Sequence, residues 1–151
     1  MEHVIHPQPG YPFTVRLTVS YELNDDGLAV TTRAENLGER PCPFGVGHHP
    51  YIAGRVDDMV LQGKPIGDRK LDETIALEGP WRLEVNDVVV WADEHWRYVQ
   101  LFSGDAKPEI ARRALAVEPM TCPPNAFRTG IDLVRLEPGQ VFEGRWGVNS
   151  P

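Results

Sequence analysis

The feature that most constrains the fold is a long run of alternating apolar and polar residues near the amino terminus. From Phe13 to Leu23 every second residue is apolar, and the residues between them are polar or charged. Successive side chains of a β-strand point to opposite faces, so this pattern predicts a long, half-buried strand. A turn at residues 24–27 that ends in glycine, followed by a second alternating run from Leu28 to Ala34, predicts a β-hairpin.

The rest of the chain consists of short apolar stretches separated by turns, with no helical periodicity beyond a turn or two. Further strands are expected at residues 44–46, 59–61, 81–91, 96–102, 115–118, 132–136 and 141–148. The helical candidate is Glu109 to Ala114, and Gly54 to Asp72 is expected to be mostly loop. Core positions are expected for the tryptophans Trp91, Trp96 and Trp146. Many short strands in 151 residues predict an all-β, antiparallel sandwich that forms one domain over residues 1–151.

Charge and composition argue against several classes of function. The net charge is -7 at pH 7 and basic residues do not cluster, so nucleic acid is not an expected partner. The apolar runs are far too short to cross a membrane, and residues 1–9 do not have the pattern of a signal peptide. A cytoplasmic protein without membrane contact is therefore expected.

The cysteines and histidines do not indicate a metal site. Cys42 and Cys122 are too few for a disulfide framework and are expected to be buried free thiols. Adding His48, His49 and His95 as candidate zinc ligands gives no recurrent zinc-site spacing. No metal and no phosphate-binding glycine loop are expected.

Two short motifs each place a proton-transfer residue beside rigid, proline-containing backbone. The first is Gly47 to Tyr51, in which Pro50 biases His49 toward an extended conformation. Adjacent residues of a strand face opposite ways, so His48 and His49 cannot both point into one site unless the backbone turns between them. Histidine can donate a proton at neutral pH and recover it. Considered alone, a histidine at such a place is more often structural than catalytic.

The second motif runs from Ala116 to Phe127 and contains Glu118. Glu118 follows apolar residues and precedes a proline, so it is expected at the end of a strand rather than on an open surface. Burial there would raise the pKa of the carboxyl group, and nearby hydrogen-bond donors would lower that pKa. A carboxylate at a strand end is most often solvated. A histidine and a carboxylate on opposite sides of a small polar ligand, however, form the pair that general acid–base catalysis requires.

These motifs resemble those of the aldose 1-epimerases (mutarotases), in the bacterial branch of that family. The resemblance extends from Pro7 to Val148 and is strongest at residues 7–13, 43–51 and 116–127. It implies a sandwich like the galactose mutarotase supersandwich, truncated at the amino terminus, because full members are longer and carry additional amino-terminal strands.

The resemblance also implies roles for particular residues. His49, followed by Tyr51 in the family's His-x-Tyr pattern, would be the acid that protonates the ring oxygen of a sugar, with His48 as the second choice. Glu118 would be the base that takes the proton of the anomeric hydroxyl. Asp72, His48 and Tyr51 are expected to bind the sugar, although a solvated loop aspartate is an equal alternative for Asp72.

The expected function is therefore interconversion of the α and β anomers of a free aldose, such as a hexose or hexose phosphate, without a cofactor. Two alternatives remain open: a catalytically weak sugar-binding or regulatory remnant, and a half-domain that is active only as a dimer. The strand from Phe13 to Leu23, protected by only Arg16 and Glu22, is expected to form a bare sheet edge, which predicts a homodimer.

Overall fold

The computed structural model describes residues 1–106, 108 and 111–149. Its strands are β1 (Glu2–Ile5), β2 (Val15–Asn24), β3 (Gly27–Asn36), β4 (Cys42–Phe44), β5 (Tyr51–Ala53), β6 (Val60–Leu61), β7 (Lys64–Pro65), β8 (Asp72–Ala76), β9 (Trp81–Val85), β10 (Val88–Ala92), β11 (Tyr98–Phe102), β12 (Ala114–Met120), β13 (Val134–Leu136) and β14 (Val141–Asn149). Within the described ranges the helical segments are a 3₁₀ turn, Val56–Asp58, and one helical turn, α1 (Ala126–Thr129). Neither is long enough to cross a membrane. The prediction of an all-β fold is confirmed.

The strands form two main antiparallel sheets and a short separate ladder. The large sheet has the order β1-β2-β3-β14-β10-β9-β6-β7, the small sheet has the order β5-β12-β11-β8, and β4 pairs with β13. Val30 and Val90 of the large sheet and Leu115 and Val117 of the small sheet are fully buried in one hydrophobic cluster. The inner faces of the two sheets therefore form a sandwich core, in which burial of apolar surface stabilises the fold.

The tryptophans and cysteines depart from expectation at two positions. Trp96 and Trp146 are 0% and 4% exposed and belong to the core, as expected. Trp91 is only half-buried, and its indole N–H donates to the Asn149 side chain. Both cysteines are free thiols, but only Cys42 is fully buried, whereas Cys122 is partly exposed.

Strands β2 and β3 form the expected hairpin. Ten residue pairs are in register, from Val15 opposite Asn36 to Asn24 opposite Gly27. Gly27 has a φ of +131°, and a Cβ at this position would lie 2.1 Å from the Val148 carbonyl oxygen. The close approach of β14 therefore requires glycine at the end of this turn.

The expectation that this strand is a bare edge is wrong for its first half. Strand β1 pairs with β2 from Val15 to Thr18, and the Met1 ammonium group donates to the Val19 carbonyl at 2.8 Å. Beyond Val19, β2 pairs only with β3 in the described part of the chain. The side chains of Tyr21 and Leu23 there are 53% and 82% exposed.

We expect self-association through this distal half of β2, because an unpaired strand edge with exposed apolar side chains is a template for another strand. Sedimentation velocity at micromolar concentration should show a dimer for the wild type and a monomer for Leu23→Lys, whose charge opposes edge pairing. Leu37→Lys, at a 38% exposed position outside this edge, is the matched control and should remain dimeric. A monomeric wild type would contradict the prediction.

Strand β8 is not among the strands expected from the sequence, and its first residue, Asp72, is the last residue of the segment expected to be mostly loop. Four of the five residues of Asp72–Ala76 are exposed, and only Ile75 is both apolar and partly buried. This strand lies at the edge of the small sheet and, among the described strands, pairs with β11 alone, so it needs little apolar surface. Asp72 is consequently held by a sheet rather than by a loop.

The helical candidate at residues 109–114 is also wrong where the structure describes it. Ala111 and Arg112 form a turn with positive φ angles, and β12 begins at Ala114. Glu109 and Ile110 lie outside the described residues.

Candidate active site

The outer face of the small sheet carries a row of polar side chains. Glu118 of β12 lies opposite Gln100 of β11, and Gln100 lies opposite Thr74 of β8. The neighbouring residues Val99 and Val117 are fully buried against the large sheet. Because side chains alternate along each strand, the three polar residues point away from the core.

Gln100 connects this row to Asp72. Its side-chain Nε2 donates to Asp72 Oδ1 at 2.8 Å, and its Oε1 accepts from the Thr74 hydroxyl at 2.5 Å. Gln100 is a candidate site residue that the sequence does not indicate. Its alternation with apolar neighbours predicts that it faces outward, but outward-facing polar residues are common on strands, so the pattern gives no functional signal.

His49 lies at the Glu118 end of the row, in the connection between β4 and β5. Gly47 forms an isolated antiparallel bridge with Met120, which fixes this connection against β12. The His49 Nε2 atom lies 3.1 Å from Glu118 Oε1. The imidazole also stacks on the Tyr51 ring, with a centroid separation of 4.8 Å and an interplanar angle of 28°.

The two members of this pair differ in their exposure. The side chain of His49 is 52% exposed, whereas that of Glu118 is only 15% exposed. Burial raises the pKa of Glu118; His49 acts against this shift, and the charge of Asp72 adds to it. A carboxyl group with a raised pKa is a stronger base than a solvated one, which suits proton transfer near neutral pH.

His48 faces the other way. Its ring lies against Trp96 and Trp146 of the core, and its Nε2 lies 2.8 Å from the Thr32 hydroxyl oxygen. Burial lowers the pKa of His48, which favours the neutral imidazole. The two histidines thus point to opposite faces, as the alternation of side chains along extended backbone predicts. His48 contacts Thr32 in the core, whereas His49 contacts Glu118 on the outer face.

The structure therefore brings together four of the five residues singled out from the sequence. These are His49, Glu118, Asp72 and Tyr51, all on the outer side of the small sheet. It does not bring the ring of His48 to them, and the expectation that His48 binds the sugar is not supported by this position.

One group of metal-ligand types occurs among the described residues, at Asp93, Glu94 and His95. The carboxylate of Asp93 accepts hydrogen bonds from the backbone N–H groups of His95, at 3.0 Å, and of Arg145, at 2.6 Å. These bonds cap the turn between β10 and β11, which explains the cluster without an ion.

Burial of Glu118 has a consequence for stability. Because its folded-state pKa is raised, the stability contributed by the protonated form is present below the unfolded pKa and is lost as pH rises through the raised value. We expect Glu118→Gln to have a higher free energy of unfolding than the wild type at pH 7. This difference should vanish below about pH 4. Urea unfolding at the two pH values measures this, and an equally large difference at both would contradict it.

The fold and this polar face define the class: an antiparallel β-sandwich of the galactose mutarotase-like type with a histidine–carboxylate pair on one sheet. A galactose mutarotase-like protein from Lactobacillus casei ATCC 334 superposes with a TM-score of 0.75 at 18% identity, covering 98% of this chain and 68% of that protein. The Slr1438 protein from Synechocystis sp. PCC 6803 superposes with a TM-score of 0.72 at 20% identity, covering 99% and 66%.

The chain belongs to the aldose 1-epimerase family. The family model matches residues 1–87, which is more than half of the chain. The YihR protein of Escherichia coli K12 is 33% identical over an alignment 175 residues long, covering 89% of this chain and 55% of YihR. The chain thus spans about half the length of this relative. The matched residues 1–87 include His49 and Asp72 but not Glu118, whose place beside them comes from the structure.

Proposed function

We propose that this protein is an aldose 1-epimerase that interconverts the α and β anomers of a free aldose. The observation that carries the proposal is the 3.1 Å separation of His49 Nε2 and Glu118 Oε1 on an accessible polar face. Once a sugar replaces this direct contact, a donor and an acceptor on one face can each reach one of two oxygens attached to the same carbon atom, which is the arrangement at the anomeric centre.

The mechanism moves one proton at each end of the anomeric centre. Glu118, as carboxylate, takes the proton of the C1 hydroxyl, while protonated His49 gives a proton to the ring oxygen. The bond between C1 and the ring oxygen breaks and leaves an open-chain aldehyde. After rotation about the C1–C2 bond, the ring oxygen attacks the other face of C1. During closure His49 takes back the proton of the attacking hydroxyl and Glu118 returns its proton to the C1 oxygen, so both residues regain their starting states and no co-reactant is consumed.

Exposure and burial suit the two partners to these roles. His49 is half exposed, so its ring can turn aside to admit the sugar between itself and Glu118. Glu118 is largely buried, and desolvation of the carboxylate increases its basicity. Acid and base groups of this kind each contribute on the order of 10²- to 10⁴-fold to a rate.

The remaining polar face supplies candidate sugar contacts. Asp72 and Gln100 are already aligned by their mutual hydrogen bond, and Tyr51 offers a 43% exposed ring beside His49. A cavity of about 300 Å³ adjoins Asp72 and is also lined by Phe102 and Asp105.

Polarimetry of freshly dissolved sugars tests the proposal. The α anomers of galactose, glucose and xylose, and a hexose 6-phosphate, should equilibrate faster in proportion to the protein concentration for at least one sugar. Rates that stay at the buffer value for every sugar, with the protein folded by circular dichroism, would exclude the epimerase function for this chain.

A further inference from the structure

His48 connects the large sheet to both members of the acid–base pair. Its Nε2 lies 2.8 Å from the hydroxyl oxygen of Thr32, a fully buried residue of β3. Its backbone N–H donates to the Pro119 carbonyl at 3.0 Å. His48 is therefore bonded covalently to His49 and hydrogen-bonded to the residue that follows Glu118.

The imidazole of His48 packs against two buried indole rings. Its centroid lies 5.4 Å from that of Trp96 and 5.2 Å from that of Trp146. The indole N–H of each tryptophan has no hydrogen-bond partner among the described residues. Buried donors without partners are costly, and the π face of a neutral imidazole is a weak acceptor for such groups. The His48 ring is thus held by one hydrogen bond, to Thr32, and by contacts with two buried aromatic rings.

We propose that His48 is a positioning residue, whose anchoring between Thr32 and the two indole rings sets the direction of His49 and thereby its distance from Glu118. The proposal rests on the proposed roles of His49 and Glu118. Adjacent extended residues point to opposite faces, so fixing the His48 ring toward the core fixes the His49 ring toward the outer face.

Loosening His48 is expected to slow the reaction step rather than to weaken sugar binding. A displacement of about 1 Å between catalytic groups can cost on the order of 10²-fold in rate. The sugar contacts assigned to Asp72 and Gln100 belong to β8 and β11, which His48 does not join. Loosening His48 should therefore lower kcat more than it raises KM.

Two variants test this anchor from its two sides. Thr32→Val keeps the shape of the buried side chain but removes the hydroxyl partner, and His48→Phe keeps a ring between the indoles but removes its nitrogens. Each should lower kcat by about tenfold and leave KM within about twofold. Val15→Ala is the matched control, because Val15 is fully buried in a separate hydrophobic cluster. It should lower the melting temperature without that loss of kcat.

A measurement of ring contacts tests the positioning role of His48 separately from the epimerase activity. Nuclear Overhauser effects between the stacked rings of His49 and Tyr51 should be strong in the wild type and in Val15→Ala, and weaker in Thr32→Val and His48→Phe. Unchanged ring contacts in the last two variants would overturn the positioning role, as would an unchanged kcat in an active protein. If the wild type does not exchange anomers, the epimerase proposal fails, and the ring contacts alone decide the role of His48.

Discussion

Replacement of Glu118 by glutamine is expected to lower catalysed anomer exchange by about 10²- to 10⁴-fold, the contribution typical of one acid–base group. Glutamine keeps the size and the hydrogen-bonding oxygen of the side chain, but it cannot take a proton from the anomeric hydroxyl. Sugar affinity should stay within a few-fold, because Asp72 and Gln100 are untouched. Exchange rates and binding isotherms for the same sugar measure the two effects separately.

The control for this variant is Glu84→Gln, which makes the same chemical change at an exposed position of β9 in the large sheet. Its exchange rate should equal that of the wild type. If Glu118→Gln retained the wild-type rate, Glu118 could not be the base, and the raised pKa of its carboxyl group would reflect burial without a catalytic role.

Replacement of Arg112 by alanine is expected to lower the free energy of unfolding by about 2 to 4 kcal/mol. The Arg112 side chain is only 17% exposed, and its guanidinium binds Asp57 Oδ1 at 2.8 Å and both carboxylate oxygens of Asp105. It also donates to the carbonyl oxygens of Gly67 and Arg69 at 2.5 and 3.1 Å. Its removal takes one donor from each of these acceptors and loosens the connection between β7 and β8.

Two further variants control for charge and geometry. Arg55→Ala removes a 74% exposed arginine whose ion-pair contacts with Asp57 and Asp58 are long, at 3.6 and 3.5 Å, and it should cost less than about 0.5 kcal/mol. Arg112→Lys should restore only part of the stability, because an ammonium group cannot reproduce the planar fork of donors. Urea unfolding of the four proteins gives the comparison. Equal losses for Arg55→Ala and Arg112→Ala would show that Arg112 is an ordinary surface charge.

The sequence predicts those parts of this molecule that depend on regular alternation. The β2–β3 hairpin is evident because apolar residues repeat at every second position and Gly27 allows the turn. The same rule predicts that His48 and His49 point to opposite faces, as they do. The partners of these rings, Thr32 and Glu118, are distant in sequence, and no local pattern identifies them.

Other parts depend on contacts between polar residues that are far apart in the chain. Strand β8 partly buries only one apolar residue, Ile75, and exists because its backbone pairs with β11. The side-chain partners of Gln100 on β8, and Asp57 as a partner of Arg112, are far away in the sequence. No periodic pattern of residues therefore indicates these contacts. Strand β1 protects half of β2, although its four residues are too few for a clear alternating pattern.

The most direct test of the acid–base account is saturation transfer between the α and β anomeric protons of galactose in the presence of the wild-type chain. At pH 7 the account predicts an exchange rate that rises linearly with protein concentration and returns to the buffer value with Glu118→Gln. If no sugar of the polarimetric panel exchanged faster with the folded wild type than without it, or if both proteins gave the same acceleration, His49 and Glu118 would not be the acid and base of an epimerase.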